Sequence, residues 1–164
     1  MTSAFQIYPL ERERFSQLLS ASDAELAAAG ARWIVVDANP GYPCRVSLED
    51  AEVGERVLAI PFVHHDVCSP YRASGPIFVR ETASTRRPAV NEIPKMLERR
   101  ELSVRAYSGE AMMVAARVVS GRVLADAIRE LLATPEVEYL HIHNAGPGCF
   151  DCVVRAAQAS PINS

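Results

Sequence analysis

The chain has no apolar run approaching the roughly 18 residues that a membrane span requires. Its start, MTSAFQIYPLERER, has no basic opening followed by an apolar core, so neither a secretory signal nor a membrane partner is expected. The phosphate-cradling loops are missing: there is no GxGxxG and no P-loop. There is no GxSxG elbow and no HExxH helix either, which removes two common hydrolase signatures. Net charge is only −3, too small and of the wrong sign for a domain that coats nucleic acid. Four cysteines in 164 residues, with no export signal, fit reduced thiols in a cytosol. A cytoplasmic protein without a structural disulfide is therefore expected.

Lysine is nearly absent, at one residue against sixteen arginines. Guanidinium grips carboxylate or phosphate through two hydrogen bonds, so anion recognition is one reading. Codon usage in a GC-rich genome produces the same excess. Between Arg80 and Arg105, seven basic residues face four acidic ones, leaving that segment at +3 and the remainder at −6. A solvated face accounts for a bias of this density. Apolar residues make up 49% and charged residues 23%, which excludes a disordered chain, a collagen and a coiled coil. No internal repeat is visible. The Pro- and Arg-rich stretch 82–94 is too short a linker to separate two domains, so a single domain over 1–164 is expected.

Local patterns set the expected elements. Ser22-Asp23-Ala24-Glu25 reads as a capping box opening a helix that Gly30 closes. The run RWIVVD over 32–37 reads as a strand, and Asn39-Pro40-Gly41-Tyr42-Pro43 as a turn. RVLAIPFV (56–63) and PIFVR (76–80) are further strands. Pro61 cannot donate to a ladder, which predicts an edge position or a bulge there. The stretch 64–75 between them reads as a loop. Residues 102–107 and 111–119 flank Ser108-Gly109, a hairpin signal. Residues 121–133 carry apolar side chains on one helical face. EYLHIH (138–143) and CFDCVVRA (149–156) are two strands joined by a Gly/Pro loop. The order predicts an α+β fold: a mainly antiparallel sheet built from hairpins, N-terminal helices and one packed C-terminal helix.

The chemistry concentrates in HIHNAGPGCFDC. Alternation along a strand puts His141 and His143 on one face with Tyr139, and Leu140 and Ile142 on the core face. Phe150, Cys152, Val154 and Ala156 form an apolar stripe, so Cys152 reads as a buried thiol and the CxxC as no zinc or redox motif. A five-residue loop, 144–148, aligns the two apolar stripes and sets His143 opposite Cys149 and His141 opposite Asp151. Several chemistries fit that face. His141, His143 and Cys149 could hold a metal such as zinc. Cys149 could be a nucleophile with His143 as its base. The group could bind a small anionic ligand, or the histidines could simply be hydrogen-bonded within a polar patch. Weaker candidates are Cys44-Arg45 beside a turn, and His64-His65-Asp66 with Cys68, which has ligand types but no motif spacing. Arg105 and Tyr107 share a face that lines a pocket or meets solvent.

The strings GYPCRVSLEDAEVGE, SPYRASGPIFVRE, RRELSVRAYSGEAMMV and YLHIHNAGPGCF resemble the bacterial domain-of-unknown-function family 1203, over roughly residues 4–156. That resemblance carries no established activity. Matching its pattern are Cys44, Arg45, His64, Ser69-Pro70-Tyr71, the run Ile77–Arg80, Arg105, His141, His143, Asn144, Gly148 and Cys149. Asp151, Cys152 and Val67-Cys68 depart from it. The resemblance therefore implies a site of His64, His141, His143 and Cys149, with Arg45, Arg80 and Arg105 as anion contacts. The expected function is a small-molecule or metal-binding domain with its site on the HxH strand. A thiol enzyme built on Cys149 and His143, and an interaction protein with the histidines at a homodimer interface, are the alternatives.

Overall fold

The computed structural model describes residues 3–158, so both ends of the expected 1–164 domain lie outside the described residues. The chain runs β1 (Phe5–Tyr8), α1 (Ser16–Leu19), α2 (Asp23–Ala28), β2 (Arg32–Val35), β3 (Arg56–His65), β4 (Ala73–Arg80) and α3 (Lys95–Glu98). It continues through β5 (Glu101–Tyr107), β6 (Met113–Ser120), α4 (Leu124–Leu132), β7 (Tyr139–Asn144) and β8 (Phe150–Ala156). A five-stranded sheet has the order β1-β8-β7-β5-β6 and a three-stranded sheet the order β2-β3-β4. Every pairing between these strands is antiparallel. The fold is α+β and hairpin-built, as its sequence pattern implies.

The local signals act as physical chemistry dictates. Ser22 Oγ accepts the Glu25 backbone N–H at 3.2 Å and opens α2. Gly30, at φ +74°, closes it, with the Gly30 and Ala31 N–H groups donating to Ala27 and Leu26. α4 buries Leu124, Ala127, Ile128 and Leu131 against one face of the larger sheet. That face presents Leu102, Val104, Leu140, Ile142, Cys152 and Val154. Full burial of each large aliphatic side chain stabilises the fold by roughly 1.5–3 kcal/mol. Just before α4 the chain passes so close to α3 that a Cβ on Gly121 would lie 1.9 Å from the Leu97 carbonyl oxygen.

Three expectations need correction. The N-terminal elements expected were helices alone; β1 is a strand there, because FQIY alternates and buries Phe5 and Ile7 beside β8. β3 is the middle strand of its sheet, so Pro61 is not on an edge strand. The four-residue β2 stops pairing at Ala59, so no neighbour on that side asks Pro61 for a proton. The bulge comes immediately after, between Phe62 and His65.

The third correction moves the β7–β8 register. His141 pairs with Val153, Ile142 with Cys152 and His143 with Phe150, leaving Asp151 as the extra residue of a bulge. The core stripes still meet, because Leu140, Ile142, Cys152 and Val154 share one cluster. Phe150 leaves them. The bulge turns it to the opposite face, into a second cluster with Leu58, Ile60, Ile77 and Val79. The large sheet thus has helices on one face and the small sheet against the other.

Candidate metal centre

All four histidines of the chain gather between the two sheets. β7 delivers His141 and His143 from one face, two residues apart, as alternation requires. β3 delivers His64 and His65. Neighbours on a regular strand point to opposite faces; the β3 bulge breaks that rule, and both rings reach His141. His64 and His143 meet edge to face, with ring centroids 4.9 Å apart. Phe150, turned by its own bulge, stacks flat against His64 at 5.3 Å and floors the group.

The roles of the rings differ. His65 is fully engaged: Nδ1 donates to the Tyr71 carbonyl at 2.8 Å, and Nε2 lies 2.6 Å from the Tyr139 hydroxyl. His143 Nδ1 donates to the Gly148 carbonyl at 2.9 Å, which leaves Nε2 as the free lone pair. A ring held by its other nitrogen in this way has the orientation and tautomer of a metal ligand. His64 Nδ1, His141 Nδ1 and His143 Nε2 are all buried and have no hydrogen-bond partner among the described residues. Such orphans are rare in a folded protein and point to an absent partner.

One donor atom from each of His64, His141 and His143 lies within 4.8 Å of the other two. Tetrahedral zinc with bonds near 2.0–2.1 Å would set those nitrogens about 3.4 Å apart. Burial and positive neighbours hold all three rings neutral, the form that coordinates. His141 is pushed down to about 2, His143 to about 3, and the half-buried His64 to about 4. Burial is the largest cause in each case; neighbouring histidines and Arg105 lower the rings further, and at His143 the hydrogen bond to the Gly148 carbonyl opposes the shift.

The remaining expected residues separate. Cys149 is not in the three-histidine group: its sulfur accepts the Asn144 side-chain N–H at 3.2 Å, while His143 Nδ1 is committed to Gly148. Among the described residues, the group that could hold a metal therefore includes His64 where Cys149 was expected. The expected thiol–imidazole hydrogen bond is not formed. Cys149 instead lines a separate cavity of about 690 Å³ with Arg45, Arg100, Asn144 and Phe78. Arg45 is fully buried and ties the turn after Pro43 to β8, donating to the Phe150 carbonyl at 2.7 Å with Asp151 3.5 Å away. Arg80 is taken by Glu49 and Glu55 on the small sheet. Arg105 belongs to the histidine face, as the β5 residue paired with His141. Cys152 is a core thiol, its ionisation suppressed by burial, and Cys44 is a packed cysteine whose sulfur accepts two backbone N–H groups. His65 stands only among the weaker sequence candidates, and Phe150 is not among them. The adjacency of His64 and His65 was the only signal for the first, and an unseen bulge hid the second.

Fold and site together define an α+β protein with a buried three-histidine cluster, able to hold a metal ion, between two antiparallel sheets. The family described as protein of unknown function (DUF1203) matches residues 41–156, well over half of the chain, and the chain belongs to that family. No curated protein and no solved structure matches the chain. Among the described residues, no helix is long and apolar enough to cross a membrane.

Proposed function

We propose that this protein binds one divalent transition metal, zinc foremost, through His64, His141 and His143. The observation that carries the reading is the set of three buried, neutral ring nitrogens converging without partners. An all-imidazole set suits zinc, copper, iron or nickel and disfavours calcium and magnesium, which take oxygen ligands. Three protein ligands leave a coordination position open, the arrangement of a site that binds or activates a further molecule rather than a closed structural one. Bound zinc would supply Lewis acidity and lower the pKa of a coordinated water.

The test is metal content by mass spectrometry on protein purified without a His tag, after incubation with zinc and gel filtration. The expected result is close to one zinc per chain, lost in a His64→Ala, His141→Ala, His143→Ala variant that keeps its circular dichroism spectrum. Wild-type protein that retains no zinc, copper, iron or nickel would overturn the reading.

A further inference from the structure

The electrostatics of the cluster are one-sided. Its three ligands are neutral. The charged side chain that acts on all three is Arg105; Arg45 acts on His143 alone and is itself paired with Asp151. Arg105 sits on β5 opposite His141 in the ladder, and its Nε donates to Ser103 Oγ at 3.2 Å. Ten of the fifteen other arginines are ion-paired among the described residues. Arg105, although partly buried, has no acidic partner among the described residues. A dication beside it would place two positive centres in a partly desolvated space without a counter-charge, which is costly unless an anion enters. His64 and Arg105 are the partly exposed members of the group, while His141 and His143 are buried.

Resting on the metal reading above, we infer that the loaded site takes an oxyanion, one oxygen on the metal's open position and another on the Arg105 guanidinium. Carboxylate and phosphate share this chemistry. Each offers oxygens spaced for the planar guanidinium fork and a charge that neutralises the pair. Arg105 is then the specificity-determining residue of the site, distinct from the three that hold the metal.

The experiment uses full-length, tag-free protein loaded with cobalt(II), whose visible spectrum reports changes in coordination. Acetate and inorganic phosphate are titrated separately at ionic strength held constant with perchlorate. A saturable spectral change is expected, and whichever anion binds more tightly identifies the source. Arg105→Gln should keep its cobalt stoichiometry and bind that anion roughly ten- to a hundred-fold more weakly. Arg105→Lys, which keeps charge but loses the fork, should fall between them. Stoichiometric cobalt with a spectrum that neither anion moves would overturn this inference and leave metal binding standing. So would equal anion affinity in wild-type protein and both variants. Failure to bind cobalt, zinc or another transition metal would overturn the metal reading and this one with it.

Discussion

Acidification of the metal-free protein should destabilise it by an amount the site itself sets. His141 and His143 are buried, and their folded-state values of about 2 and about 3 lie far below the 6.5 of an unhindered ring. The unfolded chain therefore binds these two protons first, and stability falls as the pH drops below about 6.5. Between pH 7 and pH 5 each ring costs about 2 kcal/mol, so about 4 together. Asp151 acts in the other direction. Burial raises its carboxyl to about 6 despite Arg45 and Arg100, so the folded chain takes up that proton first. Over the same interval this offsets about 1 kcal/mol. His64, pushed down to about 4 but partly exposed, adds a smaller cost of about 1 kcal/mol. The net loss is roughly 3–4 kcal/mol, or roughly 6–16 °C in Tm for a chain of this length. Urea denaturation with a chelator present, followed by circular dichroism and by the single tryptophan, Trp33, would measure it. A His141→Leu, His143→Leu variant should lose the acid sensitivity. A midpoint that is equal or higher at pH 5 in the wild-type chain would refute the reasoning.

Other substitutions follow from the same geometry. Gly148 sits at φ +82° while its carbonyl fixes the His143 tautomer. Gly148→Ala should cost about 1–2 kcal/mol in backbone strain and weaken zinc binding about ten- to a hundred-fold, read by competition with a chromogenic chelator. Arg45→Met removes the buried cation beside Asp151 and should cost about 3–5 kcal/mol, much of it recovered by adding Asp151→Leu. Equal stabilities for the single and double variants would show that the pair is not coupled. Gly121→Ala forces a methyl into the Leu97 carbonyl and should lose about 3 kcal/mol or more, or fail to fold. A thermal melt unchanged by it would contradict the close approach of α3.

The residues alone determined a good deal of this protein. Alternation of Leu140 and Ile142 with His141 and His143 separates core from site, because a strand has a period of two whatever it packs against. The Ser22 cap, the Gly30 stop and the Ser108-Gly109 turn act within a few residues of themselves, so they are legible without a fold. The apolar face of α4 is equally local in origin. Only the tertiary structure decided which residues complete the site. A bulge in β3 puts His64 and His65 on one side of their strand, and a bulge at Asp151 turns Phe150 beneath His64 and moves the β7–β8 register. A single inserted residue reverses the facing of everything beyond it, and nothing in the local pattern of either strand marks where it occurs. The pairing of β5 with β7, which sets Arg105 beside His141, and the packing of the small sheet over that face join segments distant in sequence. For that reason His64, and not the nearer Cys149, stands with the two histidines of β7.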